Sequence, residues 1–204
     1  MKLFYVPGAC SLAPHIILRE LGQDIELEKV DTKTQKTESG IDFSSVNPNG
    51  YVPALQLDDG AILTEGVAII QFLADQKRAS NLAPASGTLE RARLQENLNF
   101  ISSELHKAFS PFFSTPPLEG EARETALSKV SSRMERFEKI LADGREYLDG
   151  KTFSVADAYL FVVANWANFV EIDLAQWPHV ADFVTRVSSR KTAQDALRAE
   201  GLLQ

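Results

Sequence analysis

The chain contains a single cysteine, and it stands in "FYVPGACSLAPHI", residues 4–16, where a strand-like run ends in Pro7-Gly8-Ala9 and a helix-like run begins. A thiol at a helix start meets unpaired N–H groups and the positive end of the helix dipole, and both favour the thiolate. Cys10 is therefore a candidate nucleophile or disulfide partner, against the plainer alternative of a small buried hydrophobe. "YVPAL" is the second such stretch. Pro53 has no N–H for a ladder, so it belongs at an edge or a bend. A cis Val52-Pro53 bond would present the Val52 N–H and C=O to a peptide-like ligand, whereas a trans proline would be structural only. In "TEGVAI", Glu65 falls in the first turn of a helix. There it can serve as a capping acid or accept an ammonium group, while Gly66 lets a ligand approach the backbone. On a long helix predicted over 89–110, Asn99, Ser103 and His106 fall at i, i+4 and i+7. They make a polar stripe that either serves a site or faces solvent, with Lys107 adding positive charge beside His106. His15 and His179 stand alone. No His/Cys/Asp/Glu spacing suits a metal, and no glycine-rich phosphate loop is present.

These residues need elements to position them. Residues 1–75 read as β-α-β-α-β-β-α. "KLFYV" is a strand, and Ser11 can cap a helix whose apolar face is Ile16, Ile17, Leu18 and Leu21, closed by Gly22. "IELEKV" is a second strand, and residues 31–46 read as loop or weak helix. A hairpin turns at Asp59-Gly60, and Thr64 can cap the helix that follows. Such alternation predicts a layered sheet with helices packed on it. "KRASNLAPASGT", 77–88, reads as a linker. Beyond it Leu94, Leu98, Ile101 and Leu105 give one helix, and Leu127, Val130, Met134, Phe137 and Leu141 another. "SVADAYLFVVANWANF", 154–169, is apolar on most sides and reads as a buried central helix, with Ser154 and Asp157 as its capping box. Two shorter helices follow Pro178 and Thr192. The expected domains are therefore 1–80, α/β, and 87–204, all-helical.

Composition narrows the classes. With 204 residues, 44% apolar and 24% charged, the chain suits a globular protein with a sizeable core. A net charge of −7 argues against a nucleic-acid surface. No apolar run approaches the roughly 20 residues of a membrane span. The N-terminus lacks an apolar signal core, and one cysteine rules out an internal disulfide framework, so a reducing, cytoplasmic setting is expected.

Taken in order, the strand-turn-Cys-helix start, "NGYVPAL", "LTEGVAIIQFLAD" and "FSVADAYLF" resemble cytosolic glutathione S-transferases over essentially the whole chain. "PGACSLAPH" and "SSELHK" resemble the bacterial beta class in particular. The resemblance implies a thioredoxin-like N-terminal domain that binds glutathione as co-substrate, an all-α C-terminal domain, no metal, and a homodimer. It implies a cis Pro53, with Val52 pairing its backbone to the cysteinyl part of glutathione. Glu65 and Gly66 match the positions that hold the γ-glutamyl end. Asn99, Ser103, Glu104, Leu105, His106 and Lys107 match a segment lining the site, some of which reaches across a dimer; Leu105 contributes backbone or packing only. Trp166 matches an aromatic lining the cleft, with core packing as the alternative. Gln35 stands where similar sequences often carry lysine, so its contact to the glycyl carboxylate lacks a charge. Tyr5, in a strand before the turn, is read as packing. The implied activity is conjugation of reduced glutathione to small apolar electrophiles such as aryl or alkyl halides and epoxides, a detoxification chemistry with Cys10 and His106 beside the sulfur. Thiol-disulfide exchange or reductive dehalogenation through Cys10 is one alternative, and a non-catalytic hydrophobic-ligand binder is another.

Overall fold

The computed structural model describes residues 1–203. The chain divides into two compact units, Met1–Ala83 with the segment from Ser189 onward, and Pro84–Ser188. The first unit holds β1 (Lys2–Tyr5), α1 (Leu12–Glu20), β2 (Glu26–Asp31), β3 (Lys36–Thr37), β4 (Ala54–Gln56), β5 (Ile62–Thr64) and α2 (Gly66–Gln76). Its sheet runs β3-β2-β1-β4-β5. β1 and β2 are parallel, with Leu3 opposite Leu27, as a crossover through α1 requires. β4 and β5 are antiparallel additions, with Leu3 opposite Leu55 and Leu55 opposite Leu63. Strand alternation sorts the core. Phe4, Val30 and Ala54 cluster on one face with Phe43 and Val52, and the rings of Phe4 and Phe43 lie 5.7 Å apart. Leu3 and Leu55 project from the other face and are fully buried, as are Ile16 and Ile17 of α1 and Ile69 and Ile70 of α2.

Four local expectations change. Residues 31–46 contain β3 and a 3-10 turn, Phe43–Ser45, capped by the Asp42 side chain accepting from the Ser44 N–H. Ser11 does not cap α1; its hydroxyl lies 3.2 Å from both the N–H and the C=O of Val6, fastening the turn before the helix. Thr64 belongs to β5, and the residue preceding α2 is Glu65. Finally α8 (Lys191–Ala199), expected to lie with the helical part, groups with the sheet unit and packs on α1. Ala193, Ala196 and Leu197 are its buried positions, and Glu20 at the end of α1 accepts from Arg190 and Thr192.

The second unit contains α3 (Leu89–Phe100), a π-helical turn (Ile101–Leu105), α4 (His106–Phe109), a 3-10 turn (Ser110–Phe113), α5 (Gly120–Leu141), α6 (Val155–Phe169) and α7 (Pro178–Ser188). The helix predicted over 89–110 is thus interrupted in its middle. Thr88 caps α3 by accepting from the Arg91 N–H. Leu94, Leu98, Ile101, Leu105, Val130, Met134 and Phe137 are all fully buried, which accounts for the apolar spacing. α6 is buried along most of its length, as its composition requires. Its start is held by Asp157, whose carboxylate accepts from the Ser154 N–H at 2.9 Å, the Ser154 hydroxyl at 2.7 Å and the Leu148 N–H at 2.8 Å. Among the described residues, no helix is long and apolar enough to cross a membrane.

Candidate functional site

In the sheet unit, β1 ends into the turn that carries Cys10. The Ala9 N–H closes back on the Val6 carbonyl at 3.1 Å, and the Leu12 N–H on the Ala9 carbonyl at 2.9 Å. Gly8 adopts φ +73°, a conformation that costs an L side chain about 1–2 kcal/mol. The half-buried Cys10 directs its thiol at the Val52 carbonyl, Sγ to O 3.4 Å. The Val52-Pro53 peptide is cis. The thiol therefore lies at the start of α1 and beside the peptide expected to meet a ligand backbone, although the Val52 carbonyl is engaged by the thiol itself. The turn is also held from far along the chain: the Gly8 N–H donates to Glu200 Oε2 at 2.9 Å, and Glu200 Oε1 pairs with His15 Nδ1 at 2.8 Å. Both side chains are fully buried. His15 is therefore not alone, and neither is His179, which pairs with Glu138.

Glu65 occupies the β5–α2 junction with φ +67°, rare for a residue with a side chain, and accepts from the Tyr51 hydroxyl at 3.1 Å. That carboxylate pushes the Tyr51 hydroxyl up from its ordinary pKa. A Cβ added at Gly66 would meet Pro53 Cγ at 3.5 Å, an ordinary contact, so Pro53 does not itself demand glycine there. Gln35, at φ +57°, uses its amide internally: Nε2 donates to the Thr32 carbonyl at 2.9 Å and the Gly50 carbonyl at 3.2 Å. Its buried Oε1 has no hydrogen-bond partner.

In the helical unit, His106 Nδ1 lies 2.8 Å from the Tyr159 hydroxyl. Trp166 packs edge-on to the imidazole at 4.7 Å and 80°, and Phe109 and Phe113 flank the indole at 6.0 and 5.4 Å. Burial, with a smaller push from the Lys107 charge, lowers the His106 pKa to about 4, so the ring is neutral at physiological pH. Phe112 completes the wall and carries the Arg123 guanidinium over its face at 5.3 Å. The rest of the expected segment is dispersed. Asn99 and Ser103 are exposed, with the Ser103 hydroxyl donating to the Asn99 carbonyl at 2.8 Å. Glu104 accepts from Arg133 at 3.1 Å, Leu105 is core, and Lys107 is exposed.

Tyr159 and Glu200 carry no sign in the sequence motifs that marks them as site residues. Tyr159 stands at i to the i+7 of Trp166, so the two share a face of α6, a spacing that could have exposed it. Glu200 is 192 residues from Gly8 and left no local sign. A cleft of about 570 Å³ elsewhere on the helical unit is lined by residues including Arg93, Glu96, Arg136, Asp143 and Arg145. There Arg93 and Arg136 pair with Glu96 and Arg145 with Asp143, and the cleft holds none of the candidate residues. Among the described residues, no cluster of three or more His, Cys, Asp or Glu is arranged to hold a metal.

The sequence matches the family model "Glutathione S-transferase, N-terminal domain" over residues 8–76 and "Glutathione S-transferase, C-terminal domain" over 100–191. It is 46% identical to glutathione S-transferase GstA of Escherichia coli O157:H7, covering 99% of this chain and all of that one. A bacterial beta-class glutathione S-transferase from Sphingomonas chungbukensis superposes with a TM-score of 0.94 at 49% identity over the whole of both chains. A sphingomonad glutathione S-transferase solved in complex with glutathione gives 0.93 at 50% identity, covering 99% of this chain and 100% of that one.

Proposed function

Because the chain belongs to the glutathione S-transferase family, we propose that it conjugates reduced glutathione to small apolar electrophiles. The observation that carries this is the Cys10 thiol at the start of α1, 3.4 Å from the Val52 carbonyl. It offers a sulfur-tolerant corner beside a peptide that can pair with a ligand backbone. The sheet unit would bind the tripeptide through Val52, Glu65 and Gly66, with Gln35 bracing the adjoining loops. The helical unit would supply His106 to the sulfur chemistry and the Trp166 wall to the electrophile. In the reaction the glutathione thiol gives its proton to solvent, the thiolate forms a C–S bond, and the carbon–halogen bond breaks as halide leaves. For an epoxide, the C–O bond breaks and the oxygen takes up a proton.

Energetics assign the work. Lowering a thiol pKa from about 8.5 by two units needs about 2.7 kcal/mol. A helix terminus gives about 0.3–1 kcal/mol, rising to about 2 in favourable geometry. Hydrogen bonds to sulfur must supply the remainder, and His106 is the donor we assign. The half-buried Cys10 supports a second reading, disulfide exchange with Cys10 as nucleophile. We further infer a homodimer, to be read by sedimentation, and a cytoplasmic setting, where glutathione stays reduced.

Titration calorimetry with reduced glutathione should give saturable heat, and an activated aryl halide should be conjugated only when glutathione is present. Absence of both would overturn the proposal. Cys10→Ser separates the two chemistries: conjugation surviving with exchange abolished supports the transferase, and loss of both supports covalent chemistry at Cys10.

A further inference from the structure

We infer that Tyr159 is a positioning residue that holds His106 as the tautomer with its proton on Nε2. The inference rests on the role proposed above for His106. A neutral imidazole carries one N–H and one bare nitrogen, and the partner of one nitrogen decides which is which. Here that partner is the Tyr159 hydroxyl, 2.8 Å from Nδ1, on a side chain 5% exposed in the middle of α6. A phenol, with pKa about 10, is a far stronger acid than a neutral imidazole N–H. The bare imidazole nitrogen is in turn a better acceptor than a phenolic oxygen, whose lone pair is drawn into the ring. The favoured bond therefore runs from Tyr159 O–H to His106 Nδ1. The single ring proton then stays on Nε2.

Neighbouring geometry fixes the ring as well as the proton. Trp166 lies at 4.7 Å and 80° to the imidazole, and the Tyr159 ring at 6.2 Å and 71°. The π turn over Ile101–Leu105 sets the phase at which His106 leaves the helix to meet α6. With the ring neutral and Nδ1 occupied, Nε2–H is a preset donor for a thiolate or for a departing anion. It needs no proton uptake and no rearrangement when negative charge appears. Without Tyr159 both tautomers are populated, and only part of the molecules present the donor.

The test is nitrogen-15 NMR of the histidine rings at neutral pH, with the His106 signals identified by their loss in His106→Gln. We expect the wild-type ring to show bare Nδ1 and protonated Nε2, and Tyr159→Phe to show mixed tautomers. We also expect kcat to fall about two- to tenfold, about twofold from an even tautomer mixture and the rest from losing the hydrogen bond that orients the ring, with KM for glutathione within about twofold. A wild-type ring protonated on Nδ1 overturns the inference, and that spectrum decides even if Tyr159→Phe does not fold. So does a folded Tyr159→Phe with unchanged ring signals and kcat. His106→Ala separates the two levels. An impaired His106→Ala alongside a Nδ1-protonated wild type sinks this inference alone. An unimpaired one sinks the proposed role of His106 as well.

Discussion

The Cys10 corner and the His106 cluster are made of different material. Around Cys10 the contacts are largely main-chain. The Val52 carbonyl takes the thiol, the Gly8 N–H goes to Glu200, the Ser11 hydroxyl ties back to Val6, and Glu65 sits at positive φ. Around His106 the surroundings are rings, with Tyr159, Trp166, Phe109 and Phe113 stacked on edge and one side-chain hydrogen bond directing the imidazole. A corner of peptide groups depends on exact turns. A wall of rings tolerates substitution at its rim but depends on helix phase. On the proposed reading, ligand binding and sulfur chemistry would fall to two kinds of construction, and each should fail in its own way.

The largest effect should come from removing the distant brace on the main-chain corner. Glu200→Ala leaves His15 and the Gly8 N–H without their buried partner, and a loss of about 3–5 kcal/mol is expected in urea unfolding. A loss below about 1 kcal/mol would mean that the local turns hold the corner unaided.

Next is the anchor of the ring-bearing helix. Burial pushes the Asp157 carboxyl up to about 7, against three hydrogen bonds from Leu148 and Ser154 that favour the ionised form. In the unfolded chain it titrates near 3.9, about the reference value. The folded state therefore binds the proton more tightly, and this group's contribution to stability falls as pH rises from about 4 to about 7. Asp157→Asn should flatten that slope while destabilising at pH 4 by about 1–3 kcal/mol, because its amide must aim N–H groups at other donors. Tm measured against pH for both proteins decides. A wild-type Tm that climbs through the window would show that the hydrogen bonds prevail over burial.

Smaller still is Gly50→Ala. At φ +71°, its Cβ would lie 3.0 Å from Gln35 Oε1, so a loss of about 1–2 kcal/mol is expected, read by denaturant unfolding. No loss would mean that the Gln35 amide moves freely and does not brace the loops. The smallest concerns the ring side. Lys107→Gln removes the lesser of the two causes that depress His106, so the His106 pKa should rise slightly in an NMR titration while staying below its ordinary value. A return to the ordinary value would show that charge, and not the ring wall, keeps the imidazole neutral.

The same contrast explains what could be read from the residues alone. The corner was legible because turns leave local marks: Pro7-Gly8 before Cys10, Pro53 in a strand, and Glu65-Gly66 at a helix start. Ser154 and Asp157 likewise announced the start of α6. Less was visible where the decisive partner lies far along the chain. Ser11 suits a cap by type, but its hydroxyl bonds the backbone of Val6 in the turn before the helix instead. Helical periodicity places α8 with the helical part because it does not say what a face packs against, and the Arg190–Glu20 and His15–Glu200 pairs that tie α8 and its cap to α1 leave no local pattern. The Asn99, Ser103, His106 stripe assumed an unbroken helix, and the π turn voids that register.

That π turn holds one residue more than an α-helix of the same rise would need, and each α-helical residue rotates the chain by roughly 100°. Were the same residues wound as regular α-helix, the surplus one would swing the imidazole about a quarter-turn around the axis, off the tyrosine. The orientation of His106 is in that sense stored as a counting surplus in the backbone, outside the side chains of the cluster itself.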